Sequence, residues 1–316
     1  MQQQIRDILN LAVFAPSGEN SQPWRFAMKD NLLYVFNIPT RDNPVYNYRQ
    51  RGSYVAHGAL LENINIIAPT KGLLANIKLL PTAGADNLVA IVEFVNVEPK
   101  ENKLASIIKI RTTNRKKYSE TLLTDNQFLQ IQDVAKDFPE VSVKFITLAE
   151  EKNKLAHIFS MNDRVMLEHQ PLHDAVFDHI CWTAEEEKKK KTGLYLKTME
   201  LPPPQQFVFK LLKYVIVAKF FKKIGLTKFI ATENAKVYGS GPLFIAFIIN
   251  NEDLNYIKLG MLMQRLWLNL TAIGLSAQPL AALPYLFDRI NNGEIDDFSE
   301  EHLSLIKDSY ASIADV

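Results

Sequence analysis

Apolar and polar positions follow two periods along this chain, and the switches between them mark its elements. Ile5, Ile8, Leu9, Ala12 and Val13 recur at helical spacing, which predicts a helix over 2–14 that stops near Pro16 and Gly18. A polar loop, APSGENSQP (15–23), leads into two short strand signals, WRFAM (24–28) and LLYVF (32–36). The mostly apolar stretch 53–68 predicts a buried helix closed by Pro69 and Gly72, and NLVAIVEFV (87–95) predicts a buried strand. A second series opens near Leu104 with helical spacing over 104–110 and then a basic turn, RTTNRKKY (111–118). It continues with a helix over 123–135 capped by Thr124, a strand over 141–149 and a helix over 150–169. GPLFIAFII (241–249) predicts another buried strand, 255–273 an almost wholly apolar helix ending at Gly274, and the tail EEHLSLIKDSYASI an amphipathic helix.

The two series resemble each other. GALLENINIIAPTKGL (58–73) and GMLMQRLWLNLTAIGL (260–275) both read as buried helices ending in Gly-Leu, offset by 202 positions (274 − 72). Each is preceded by a helix, a loop and a Phe-containing strand, so duplication is the better reading than coincidence. Residues 167–237 have no counterpart in the first series. They hold HQPLHDAVFDHICW, a charge run at 185–191, Pro202 to Pro204 and an apolar helix signal near 206–221. The charge run reads as a solvated helix face with Glu preceding Lys. The segment has an apolar face of its own, so it must dock, either as plain core packing or as cover for a cleft.

Composition narrows the classes. With 47% hydrophobic and 22% charged residues the chain reads as an ordinary globular protein. A formal net charge of +1 gives no electrostatic reason to expect nucleic acid or a membrane as partner. The only cysteine, Cys181, rules out an intrachain disulfide and fits a reducing, cytoplasmic setting. The first residues lack the pattern of a signal peptide, and no apolar run reaches 18 residues, so a soluble protein is expected. His169, His173 and His179 with Asp174 and Asp178 could suggest a metal, but hydrogen-bonded structural histidines are the favoured reading. No phosphate-binding glycine loop of the dinucleotide or Walker type occurs.

Three segments carry the chemistry: APSGENSQPW (15–24), RTTNRKKY (111–118) and GLSAQPLAA (274–282). Ala-Pro-Ser, two spacers, Asn, one spacer and Gln-Pro-Trp resembles the characteristic loop of nitroreductase-like FMN proteins. The basic turn is similar to that family's phosphate and flavin turn, and the third segment to its loop beside the reactive flavin edge. In the ordinary family one subunit has the turn, the loop and the late segment in that order, and two subunits build each flavin site. Here the first half has the loop without the turn, and the second has the turn without the loop, with FPEVSVKF (138–145) in its place. The chain therefore resembles the fused, mycobacterial-type branch of the family. The resemblance implies an α+β fold of two tandem degenerate halves, 1–103 and 104–316, forming an intrachain pseudo-dimer with one site and a lid-like insertion at 167–237.

The resemblance also assigns roles. Pro16, Ser17 and Asn20 match the loop that reaches across the interface to the ribityl chain and phosphate. Arg111, a planar fork of donors, would hold the phosphate; without the resemblance, pairing with Glu120 would be the simpler reading. Thr113 would offer its hydroxyl, and Arg115 would lie at the N1–C2=O edge, where reduction places negative charge. Pro279, Leu280 and Ala281 match the loop whose backbone N–H groups face N5 and O4. Asn162 and Arg164 fall where the family contacts the flavin pyrimidine. A C-terminal arginine usual in the family has no match after Lys307.

The expected activity is NAD(P)H-dependent reduction of an electron-poor acceptor, a nitro compound, quinone or enone, through FMN. No side-chain acid or base is assigned and no metal is expected. The alternative is a flavin-holding protein whose insertion blocks nicotinamide access. A monomer or weak homodimer is expected.

Overall fold

A computed structural model describes residues 1–81, 87–295 and 297–316. Helix α1 (Gln2–Ala12) leads to β1 (Trp24–Lys29), β2 (Leu32–Asn37), helix α2 (Arg51–Ile67), β3 (Leu73–Leu79) and β4 (Leu88–Asn96). The strands form an antiparallel sheet in the order β1-β2-β4-β3, with Trp24 opposite Asn37 and Leu73 opposite Asn96. Strand β2 alternates Leu33 and Val35 inward with half-buried neighbours, so one face of the sheet covers α1 and α2. Strand β3 was not expected from the sequence. Leu73 is fully buried, and Ala75, Ile77 and Leu79 pack on the same core while Leu74, Asn76 and Lys78 face outward.

The second series runs through α3 (Lys103–Ile107), α4 (Asp125–Lys136), β5 (Ser142–Ile146) and α5 (Ala149–Glu168). Thr124 caps α4 as expected: it accepts from the Gln127 N–H, and the Gln127 side chain returns to the Thr124 N–H, a reciprocal capping box. Then come α6 (Gln170–Asp178), β6 (Ile180–Cys181), α7 (Ala184–Lys190) and β7 (Leu194–Tyr195). The charge run is α7, with Glu185 to Glu187 in its first turn and Lys188 to Lys190 in its last, each end complementing the helix dipole. The apolar run near 206–221 is two helices, α8 (Pro203–Leu212) and α9 (Val215–Lys223), not one. Extended backbone at Tyr214 (φ −91°, ψ 115°) separates them, and no Pro or Gly marks that break in the sequence. They are followed by α10 (Leu226–Tyr238), β8 (Phe244–Ile248), α11 (Asp253–Ala272), α12 (Ala282–Asn291) and α13 (Glu300–Ala311). Strands β5 and β8 pair antiparallel, and β6 and β7 form a short parallel pair. The protein is thus a mixed helix-and-strand fold with antiparallel main sheets. Among the described residues no helix is long and apolar enough to cross a membrane.

Helices α2 and α11 pack against each other at the centre, and glycines set their distance. A Cβ at Gly58 would collide with the Ile257 carbonyl, and a Cβ at Gly260 with the Val55 carbonyl. These clashes are reciprocal under one shift of 202 positions (260 − 58 and 257 − 55). The same shift relates two polar contacts. Gln264 Nε2 donates to Asn63 Oδ1 at 2.8 Å, and Arg265 Nε donates to Glu62. Each helix is followed by a glycine in the left-handed region, Gly72 (φ 72°) and Gly274 (φ 79°), which ends the turn without a Cβ penalty.

Candidate functional site

The loop after α1 is held in a conformation that its residues do not favour. Glu19 (φ 47°), Asn20 (φ 56°) and Gln22 (φ 48°) are all left-handed non-glycines. Such residues persist only where surrounding contacts fix them, and they concentrate at functional sites. The contacts are visible. Ser17 Oγ accepts from the Gln22 N–H at 3.0 Å, and the Asp42 carboxylate lies 3.3 Å from where a Gly18 Cβ would be. Across the loop, Asn20 Nδ2 donates to the Gly193 carbonyl at 3.3 Å and Gln22 Nε2 to the Lys191 carbonyl at 2.7 Å.

The basic turn begins where α3 ends, with the Arg111 N–H donating to the Ile107 carbonyl. The Arg111 guanidinium lies over the Trp267 ring of α11, 4.3 Å from its centroid, and Nη2 reaches the Phe14 carbonyl at 3.4 Å. The two residues that follow Phe14 are Ala15 and Pro16, so this arginine meets the base of the first loop. Glu120, the alternative partner, pairs with Lys117 at 3.8 Å instead. Among the described residues Arg111 has no carboxylate partner, and its Nε and the Trp267 Nε1 are buried without hydrogen bonds. Burial lowers the Arg111 pKa to about 10, which leaves it a cation at neutral pH. A partly desolvated cation with orphaned donors is chemically matched to an anion.

Further along the turn, Thr113 forms a parallel bridge with Ala277, and the Asn114 N–H donates to the Ala277 carbonyl at 3.1 Å. The turn is thereby joined to the extended segment that carries Pro279, Leu280 and Ala281. Pro279 and Ala281 are exposed and Leu280 is half-buried. Arg115 points toward residues 198–200: Nη1 donates to the Thr198 carbonyl at 3.0 Å, and its N–H donates to Glu200 Oε2 at 3.2 Å. Burial pulls its pKa down while Glu200 and Tyr238 oppose the shift.

Arg164 lies apart from this cluster. Its Nε donates to Glu168 at 2.8 Å and it also pairs with Glu301, in a network with Lys222, His302 and Thr227. Burial pushes the Glu168 carboxyl up, but hydrogen bonds led by His302 and Arg164 outweigh it and hold the group well below the carboxylate range. Asn162 is two positions, about 200°, around the helix from Arg164 and accepts from the Tyr46 hydroxyl at 3.3 Å. Next to it Asp163 accepts from Tyr238 and Asn234, both at 2.8 Å, and burial raises its pKa to about 6. His169 and His173 bond to the Asp297 and Leu212 carbonyls, each at 2.7 Å, and stack on Phe298 and Phe177.

Sequence reasoning missed Glu19, Asp42, Tyr46, Asp163, Trp267 and Tyr238. Burial raises the Glu19 carboxyl to about 8, with a further push from Asp42, which is itself raised to about 6. His179 Nδ1 lies 3.2 Å from Glu19 Oε2 but is hydrogen-bonded to the Ala175 carbonyl at 2.7 Å, so Oε2 keeps no partner. Glu19 sat in the first motif only as a spacer, Asp163 stood unassigned between Asn162 and Arg164, and the other four come from segments with no motif.

No family model matches the chain. It is 23% identical over 292 residues to "Uncharacterized protein MT1398" of Mycobacterium tuberculosis, covering 89% of this chain and 39% of that protein. It is 27% identical over 119 residues to the M. tuberculosis protein named "Putative NAD(P)H nitroreductase acg", covering 37% of this chain and 36% of that one. "Uncharacterized protein MT3212" of the same organism is 27% identical over 116 residues, 34% of either chain. The chain thus spans about two fifths, or less, of the length of the curated relatives it matches. Its relationship to these proteins is distant, and one of them carries a nitroreductase name.

Proposed function

We propose that the chain binds one FMN between two unlike halves and acts as an NAD(P)H-dependent oxidoreductase on nitro compounds, quinones or similar electron-poor acceptors. The observation that carries this reading is Arg111, a partly buried cation with no carboxylate partner among the described residues, which reaches the Phe14 carbonyl at the base of the Pro-Ser loop from a turn bridged to Ala277. The reciprocal α2–α11 crossing supports the pseudo-dimer, and the nitroreductase name of a distant relative supports the reaction class.

In this reading Arg111 binds the phosphate with Ser17 and Asn20 nearby, and Thr113 offers a hydroxyl. The backbone of Pro279 to Ala281 borders the ring system, and Arg115 supplies positive charge at its pyrimidine side. Bound FMN would supply a redox centre that accepts hydride at N5 from the nicotinamide and returns it to the acceptor. The protein contributes position, charge and exclusion of water, and no side-chain acid or base is assigned. Arg164, held by Glu168 and Glu301, is left out of the contact set.

FMN titration followed by visible absorbance tests this directly. Arg111→Ala removes a charge-assisted contact worth about 2 kcal/mol, so the FMN Kd rises roughly thirtyfold. An unchanged Kd would show that the phosphate lies elsewhere. A second reading, a flavin-holding protein with little turnover, draws on the contacts that residues 191–200 make with Asn20, Gln22 and Arg115. Stopped-flow mixing with NADH and NADPH separates the two. Bleaching of bound flavin within seconds supports the reductase, and none over minutes supports the holder.

A further inference from the structure

The chain-wide balance of +1 hides a segregation of charge. From Leu201 to Thr232 there are six lysines and no Asp or Glu. Helices α8, α9 and α10 turn their inner faces onto a local core that contains Leu212, Ala218, Phe209, Phe221 and Ile230, packed against Phe177 and Trp182. Their outer faces combine large apolar side chains with lysines. Between 207 and 224 every exposed residue is either lysine or a large apolar or aromatic side chain. Phe207 and Leu211, at i and i+4 on α8, make one stripe, exposed Tyr214 follows at the break, and Ile216, Phe220 and Ile224 make the next. Ile216 is 75% exposed and Phe220 57%, and Phe229 at the start of α10 extends the row. Lys210, Lys213, Lys219 and Lys223 stand among them. Among the described residues none of these four, nor Lys228, pairs with a carboxylate, whereas Lys222 is taken by Glu168 and Glu301.

We propose that this outer face of α8–α10 docks on the surface of an anionic lipid bilayer. Exposed aromatic and aliphatic tips that alternate with lysines suit an interface that is apolar below and negatively charged at its rim. Among the described residues the one side-chain hydrogen bond of Lys210, Lys213, Lys219 and Lys223 runs from Lys219 Nζ to the Gln170 amide oxygen at 3.1 Å. The lysine stems can lie along the apolar layer while their ammonium groups stay at the headgroups. A protein partner fits less well, because the cores of protein interfaces are depleted in lysine, whereas this face intersperses lysines with its apolar tips. The surface is peripheral, consistent with the shortness of α8 and α9, and it lies on the insertion, outside the Arg111 cluster.

Co-flotation of the full chain with vesicles tests it. Binding to phosphatidylcholine vesicles containing phosphatidylglycerol, suppressed by salt and weak on phosphatidylcholine alone, is expected. Lys219→Gln with Lys223→Gln should weaken binding about thirtyfold, at about fivefold per lysine. Ile216→Ser with Phe220→Ser should abolish flotation while the thermal melt stays cooperative. No flotation on either vesicle overturns the proposal, as does binding indifferent to salt and to the lysines. Concentration-dependent dimerisation lost in the Ile216/Phe220 variant, without flotation, would assign the face to a second copy instead.

Discussion

Glu19 shows how a single residue of the candidate site couples to pH. Its carboxyl is raised from an ordinary 4.5 to about 8 by burial, and the nearby Asp42 adds to the shift. Between those values the folded protein keeps a proton that the unfolded chain has lost. The stabilisation linked to that proton is complete below about pH 4.5 and disappears as pH rises toward 8. Glu19→Gln keeps the shape and removes the titration. Urea midpoints of the variant should therefore decline less between pH 5 and 8, and at pH 8 the variant should be the more stable. Parallel curves for the two proteins would refute the assignment. At this scale the sequence was informative where chemistry is local. Ser17 and Arg111 stand out by residue type and spacing, and both prove to hold the two loops. The state of Glu19 was not legible, because it depends on Asp42 and on the segment around His179, both remote in the chain.

At the scale of elements, the α2–α11 crossing is the most constrained contact in the protein. Glycine in a helix interior is unfavourable by up to about 1 kcal/mol relative to alanine, so it persists where closeness requires it. Gly260→Ala would drive a methyl group into the Val55 carbonyl, and backbone cannot rotate away as a side chain can. A loss of about 3 kcal/mol or more in urea unfolding is expected, with Gly58→Ala similar because its obstacle is the equivalent carbonyl. A loss below about 1 kcal/mol in either variant would mean that the helices can separate cheaply. The helices and their offset were readable, since two apolar runs with glycine at matching places leave a clear periodic signal. The α8–α9 break was not readable, because at Tyr214 a uniform run of apolar residues and lysines carries no punctuation. Strand β3 does carry a signal, with Leu73, Ala75, Ile77 and Leu79 inward and Asn76 and Lys78 outward, but it is a fainter one than the apolar run of β4.

For the whole molecule, the division at residue 103 expected from the sequence does not separate cores. Ile257 and Leu268 of α11 belong to the same buried cluster as Leu60, Ile64 and Val92 of the first series. The fragment 1–103 would leave the packed face of α2 open to water. It should show no cooperative unfolding transition alone, and should regain one when co-expressed with 104–316. A cooperative melt of the isolated fragment would contradict a shared core. The overall helix-and-strand content followed from periodicity. The lysine-rich outer face did not, because a charge total carries no information about where charges lie.

The three tryptophans happen to divide this map among themselves. Trp267 lies beneath the Arg111 guanidinium, Trp182 lies 5.1 Å from Lys213 Nζ on the insertion, and Trp24 packs edge-on to the buried His57. Variants that retain one indole each would turn fluorescence into three separate gauges: one for the Arg111 cluster, one for the helices after α5, and one quiet reference. Whether an event at one surface is felt at the other could then be read optically in a single cuvette.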